Sequence, residues 1–157
     1  MTASGFEGIE FLPSHTTDNN QKLWAWVAVD DHDGHRHAIA VVVGYQPAPG
    51  IPHVYDRCAY TVLAERNRGI GTRLARHALD ALQNQQPPIR FCLSAIATRA
   101  GYGLAQRLGL EPDPATAKQI AEAGREYNSY DQTEADKCGL AALRAAAQRL
   151  GLPRPQP

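Results

Sequence analysis

Apolar positions in this chain follow two rhythms. Between residues 22 and 45 they form two nearly continuous runs, LWAWVAV and AIAVVVGY, rich in aromatic and β-branched residues. Such runs predict paired strands. The polar segment between them, DDHDGHRH, contains Asp33-Gly34, a strong hairpin-turn dipeptide. Trp24 and Trp26 alternate onto one strand face, which reads as sheet packing. GIEFL, residues 8–12, predicts a short first strand, and SHTTDNNQ, residues 14–21, a polar turn. QPAPGIP, residues 46–52, is a proline-glycine loop that ends the hairpin. HVYDRCAYTV, residues 53–62, predicts a further strand.

Beyond that strand the rhythm becomes helical. Ile70, Leu74, Ala78, Ala81 and Leu82 recur at helical spacing, with Arg73, Arg76 and Asp80 between them. The connection into this helix is R-x-x-G-x-G: Arg66, Gly69 and Gly71. Glycine permits positive φ and leaves no Cβ to block a ligand. The first N–H groups of a helix have no partner inside it. With the helix dipole and Arg66 and Arg68, they make a site for phosphate oxygens. The structural alternative is a tight strand-to-helix turn. No G-K-[ST] follows, so this is not a Walker loop, and the third glycine of a dinucleotide fingerprint is missing.

Downstream comes IRFCLSAIATRAGYGLAQRLGLEPD, residues 89–113. Asp113-Pro114 resembles an N-cap with proline at the first helical position, opening ATAKQIAEAGRE, with Gly124 near its end. YNSYDQ, residues 127–132, is a polar aromatic connector with edge-strand character. Thr133 to Asp136 resembles a capping box, followed by an apolar stripe of Leu140, Leu143, Ala147 and Leu150. Gly151 and Pro153 end that helix.

Composition narrows the options. With 157 residues, 43% of them apolar and 20% charged, the chain suits one domain with a real core. Its formal net charge is zero, so there is no global pull toward nucleic acid or an anionic membrane, and neither is expected as a partner. The start lacks a basic region followed by an apolar run, and no stretch is long enough to span a bilayer. Cys58, Cys92 and Cys138 are scattered and odd in number, which fits a reducing cytoplasm. Asp30, Asp31, His32, Asp33, His35 and His37 gather at the hairpin tip, and His35 and His37 share a face. No matching ligand set occurs elsewhere, so the tip is read as solvated and no metal is assigned.

The segment VLAERNRGIGTRL, residues 62–74, resembles the acetyl-CoA loop of the GNAT family of N-acetyltransferases, whose signature is [QR]-x-x-G-x-[GA]. Residues 89–113 are similar to that family's next unit, with Leu108, Gly109 and Leu110 at its leucine–glycine–aromatic ending. The resemblance covers about a third of the chain, in the family's order. It implies an α/β (α+β) domain: a mixed, mostly antiparallel sheet flanked by helices. It also implies acetyl-CoA as co-substrate and an amine on a small molecule, peptide or protein as acceptor. The loop of Arg66, Asn67, Arg68, Gly69, Ile70, Gly71 and Thr72 would hold the pyrophosphate, and Val62 and Leu63 would offer backbone groups to the pantetheine arm. The spacing from strand to arginine is about one residue shorter than the family's, which leaves that register open.

Three departures matter. The family often places an acidic tyrosine four residues before the glycine of its ending. Here Ala105 stands there, and Tyr102, on roughly the same helix face, is the substitute candidate. Thr98 stands where relatives carry asparagine. For the base, His53, Asp56 and Glu65 lie on or beside the relevant strand, His77 is read as solvent-facing, and none is selected. The two helices the family carries after its first strand have no room here, so the acceptor wall must come from the C-terminal segment or a second subunit. The helical extension, residues 113–151, can pack on the sheet or form a homodimer surface, and residues 152–157 are a loose tail. Tyr127 and Tyr130 are candidates for an acceptor pocket, with connector packing the simpler reading. The expected organisation is one domain over residues 1–157, with a poorly patterned start at 1–20. The alternative function is a catalytically inactive CoA-binding or protein-interaction module.

Overall fold

A computed structural model describes residues 6–32, 34–93, 96–97, 99–122, 128–129 and 131–157. The apolar runs pair as expected. β3 (Gln21–His32) and β4 (His35–Gln46) form a long antiparallel hairpin. β1 (Ile9–Pro13) pairs with β3 on its other side, and β5 (His53–Thr61) pairs antiparallel with β4. β6 (Arg90–Cys92) then joins β5 in parallel. Among the described residues the sheet order is β1-β3-β4-β5-β6, a mixed and mostly antiparallel sheet. The segment 14–21 is more than a polar turn. Thr16–Asp18 forms β2 against β3, and Asn19 and Asn20 turn the chain at φ 50° and 64°. Asparagine tolerates that left-handed backbone, which a turn count based on polarity alone does not reveal.

Adjacent residues of β5 face opposite sides of the sheet. A Cβ on Gly71 would lie 3.4 Å from Thr61 Oγ1, whereas a Cβ on Gly139 would lie 2.6 Å from Tyr60 Cβ. The helix α1 (Ile70–Gln83) and the C-terminal helix therefore cover opposite faces. After β6, three further segments precede the last strand and the C-terminal helix. They are β7 (Ile96–Ala97), α2 (Arg99–Arg107) and α3 (Pro114–Glu122). Beyond them, β8 (Asn128–Ser129) pairs with β7, and α4 (Gln132–Arg149) follows. α1 buries Ile70, Leu74, Ala75, Ala78 and Leu82. α4 buries Gly139, Leu143, Ala146 and Ala147 against β3, β4 and β5. The C-terminal segment thus packs on the sheet.

Caps fix these helices. Asp113 accepts from the Thr116 N–H at 2.9 Å, so α3 opens as expected at Pro114. α4 begins earlier than the capping-box reading: Asp131, not Thr133, is the N-cap, accepting from the Glu134 N–H at 3.1 Å. At its other end Gly151 adopts φ 70°, Leu152 donates to the Ala147 carbonyl and Gly151 to the Gln148 carbonyl, a Schellman closure. Ser14 ties this end to the N-terminal strands. Its hydroxyl donates to the Ala146 carbonyl at 3.0 Å, and Arg149 donates through Nε and Nη2 to Ser14 Oγ and O. No helix of the described residues is long and apolar enough to cross a membrane.

Trp24 and Trp26 stack at 6.0 Å, and His15 packs against both rings. The Ala25 N–H donates to His15 Nδ1 at 3.0 Å, so the ring is held neutral with Nδ1 as acceptor. Burial, with Lys22 and Arg149 nearby, pushes the His15 pKa down to about 4. A depressed histidine pKa contributes stability that is complete above the unfolded value near 6.5 and is lost as pH falls through 4. His15→Gln should therefore flatten the melting temperature between pH 6.5 and 4 relative to wild type, measured by calorimetry. An unchanged slope would mean His15 is not held neutral.

Candidate functional site

The site forms where two parallel strands part. β5 and β6 pair at His53↔Arg90, Val54↔Phe91 and Tyr55↔Cys92, and among the described residues β5 has no strand partner on that edge from Asp56 to Thr61. On its other edge, Val43 faces Cys58 while Gly44 faces Asp56, so Arg57 is the extra residue of a β-bulge. A bulge raises local twist and swings the strand away from its neighbour. The resulting cleft holds about 1210 Å³. β4 and β5 form its floor, and the glycine loop and the start of α1 close one end. α2 forms one wall through Leu104 and Ala105, with Leu108 just past its end, and α4 the other through Ala135, Cys138, Ala142 and Ala145.

The loop has the geometry its glycines suggest. Asn67 and Gly69 take φ of 65° and 78°, and Gly69 is the N-cap of α1. Left-handed residues in such a turn aim successive N–H groups toward one concavity, and the α1 dipole adds partial positive charge. Arg66, Asn67, Gly69, Ile70, Gly71 and Thr72 all line the cleft. Arg66 braces the loop. Its Nε donates to the Thr61 carbonyl at 2.8 Å, Nη2 lies 3.7 Å from Asp136 of α4, and the guanidinium sits over Tyr60. Arg68 pairs with Glu65. With both arginines so engaged, the loop presents chiefly backbone N–H groups to the cleft.

Val62 and Leu63 do not carry the open strand edge. Val62 donates its N–H to the Ile39 carbonyl at 3.0 Å, and Leu63 donates to the Pro157 carbonyl at 3.3 Å. Strand alternation then turns Tyr60 toward β4 and leaves Ala59 and Thr61 facing the gap.

The side-chain candidates separate clearly. Asp56 lines the cleft at the root of the gap, half-buried, and burial pushes its carboxyl up to about 6. Glu65 also lines the cleft but is paired with Arg68. His53 packs against Tyr55, and His77 against Phe11, and neither lines the cleft. Tyr102 is half-buried on α2 and is not among the lining residues, whereas Ala105 is. Thr98, Tyr127 and Tyr130 lie outside the described residues.

Tyr55, Arg57 and Arg149 line the cleft without having been singled out in the sequence. Tyr55 donates its hydroxyl to Asp113 at 2.6 Å; that hydrogen bond, with burial, pushes the phenol up to about 12. The bonds from Thr116 and Tyr55 hold the Asp113 carboxyl below the usual range. The only sequence signal for Arg149 was its place on the stripe 138, 142, 145, 149, the face opposite the leucines.

No family model matches the chain, and no curated protein matches it. Among solved structures, a tandem GNAT protein from the clavulanic acid biosynthesis pathway, without AcCoA, aligns over 69% of this chain at 19% identity and a TM-score of 0.40. The aligned part is 29% of that protein, so this chain spans under a third of its length.

Proposed function

We propose that this chain is a GNAT-type N-acetyltransferase, a single domain moving an acetyl group from acetyl-CoA to an amine. The parting of β5 from β6 at the Arg57 bulge carries this reading. It sets an open strand edge beside a helix N-terminus, which suits an extended amide arm ending in a pyrophosphate. Residues 66–72 would hold the phosphates through backbone N–H groups, and Ala59 and Thr61 would pair with the arm. Gly71 lies at the head of α1 on the cleft lining, where a bulky side chain would occupy the space proposed for the phosphates.

Acetyl-CoA supplies an activated thioester: the amine nitrogen forms the new bond to the acetyl carbon, the carbon–sulfur bond breaks, and CoA leaves as the thiol. The residue suited to take the amine's proton is Asp56. A carboxyl near 6 is largely ionised at neutral pH yet more basic than an exposed aspartate.

Ala105 on the cleft wall favours a second reading, a CoA-binding module without turnover. A thermal-shift titration tests the common part. Saturating acetyl-CoA should raise the melting temperature by several degrees in wild type, and Gly71→Trp, still folded, should lose that shift. No shift at millimolar acetyl-CoA would sink both readings. A shift without turnover on a broad amine panel would leave the binding module.

A further inference from the structure

The strand register gathers the histidines of the β3–β4 hairpin tip on one side. His32 lies directly opposite His35, and Asp30 directly opposite His37. Side chains two apart on a strand share a face, and so do directly opposed ones. Asp30, His32, His35 and His37 therefore stand together on one face of the hairpin. The sequence alone pairs only His35 with His37; the register adds His32 as a third imidazole. Opposed Cβ atoms lie about 5 Å apart, and same-face neighbours along a strand about 6.6 Å. Imidazoles so spaced can reach one ion, each giving one ring nitrogen at about 2 Å. The rings of His32, His35 and His37 are exposed. As they stand, no three ligating groups among the described residues enclose a point. Binding therefore requires rotation of exposed side chains, with the strand backbone left in place.

A second observation concerns the carboxylate on this face. The Asp30 side chain is only 8% exposed, and its Oδ2 lies 3.1 Å from His32 Nε2. Among the described residues no lysine or arginine lies within 4.0 Å of it. The nearby guanidinium, Arg36, stands opposite Asp31 on the other face and pairs with Glu10. A buried carboxylate is costly unless a cation or donors compensate it. An ion held by the three imidazoles would bring positive charge beside Asp30. A carboxylate at Nε2 favours the proton there and leaves Nδ1 of His32 for a metal.

We propose that this face of the hairpin tip binds a divalent transition-metal ion through His32, His35 and His37, with Asp30 behind His32 and water in the remaining position. Three neutral imidazoles and one open place suit zinc, and by the same ligand chemistry nickel and copper. Calcium and magnesium, which take oxygen ligands, do not fit. None of the four residues lines the cleft, so the site stands or falls apart from the acetyltransferase reading. The test uses the full chain without an affinity tag, with Co²⁺ as spectroscopic probe and Zn²⁺ as competitor. Co²⁺ should give the intense visible bands of a four-coordinate ion, saturating at one ion per chain, and Zn²⁺ should displace it. Mg²⁺ should not. Asp30→Asn should weaken Zn²⁺ binding about tenfold, as loss of the carboxylate behind a ligating histidine does. His32→Gln, His35→Gln and His37→Gln should each weaken it further, whereas His77→Gln, on α1, should leave it unchanged. Because the three rings are exposed, these variants should melt like wild type without metal, and Zn²⁺ should raise the melting temperature of wild type alone. Half-saturation above millimolar Zn²⁺, absence of the four-coordinate Co²⁺ bands, or equal Zn²⁺ affinity in wild type and the three histidine variants would overturn the proposal.

Discussion

Replacing Asp56 with asparagine should lower kcat/KM for acetyl transfer by about 10²- to 10⁴-fold, the usual contribution of a positioned general base. Wild-type turnover should fall as pH drops below about 6, where the carboxyl takes up its proton, and the residual rate of Asp56→Asn should lack that step. The same substitution should stabilise the fold. Burial raises the Asp56 pKa from 3.8 to about 6, so the folded state favours the protonated acid. The stability this represents is complete below the unfolded pKa and is lost as pH rises through 6. A shift of this size corresponds to about 3 kcal/mol at most, and partial exposure reduces it to about 1–2 kcal/mol. Calorimetry should therefore show Asp56→Asn melting higher than wild type at pH 8 and equally at pH 4. Near-wild-type turnover would remove Asp56 from the mechanism, whatever its effect on stability.

The second large effect concerns the seat of α4. A Cβ on Gly139 would meet Tyr60 Cβ at 2.6 Å and its ring carbons at 2.8 and 2.9 Å. Of these atoms the Cβ is fixed to the strand backbone and cannot rotate away. Gly139→Ala gains about 1 kcal/mol in helix propensity, but overpacking costs typically 1–3 kcal/mol and more where backbone must shift. A net loss of about 2 kcal/mol is expected, lowering the melting temperature by about 4–8 °C. Tyr60→Ala should recover part of it, so that the double-mutant cycle shows coupling. A more stable Gly139→Ala would mean that α4 does not rest on Tyr60. Because α4 is a wall of the cleft, the same variant should also weaken acetyl-CoA and acceptor binding.

The chain's own residues determined much of this. Two β-rich runs with Asp33-Gly34 between them specify a hairpin, because an unbroken apolar run bounded by a tight turn has few other ways to bury itself. The glycine pattern at 66–71 specifies a strand-to-helix turn, since only glycine or asparagine readily takes the left-handed backbone found at Asn67 and Gly69. Asp113-Pro114 and Gly151 mark helix ends by local chemistry alone. These features depend on neighbours within a few residues, so spacing reveals them.

What tertiary structure decided depends on partners far along the chain. The Ser14 bonds to Ala146 and Arg149 join residues more than 130 positions apart. The seat of Gly139 on Tyr60 follows from two elements meeting, not from either sequence. The open strand edge shifted from Val62 and Leu63 to Ala59 and Thr61 because Ile39 and Pro157 took the first two N–H groups. Among the base candidates, Asp56, Glu65, His53 and His77 were equivalent as sequence. Burial raised one, an arginine neutralised another, and packing took the two histidines away from the cleft. A side chain's charge and reach are properties of its surroundings, and those surroundings exist only once the strands have parted and α4 has closed over them.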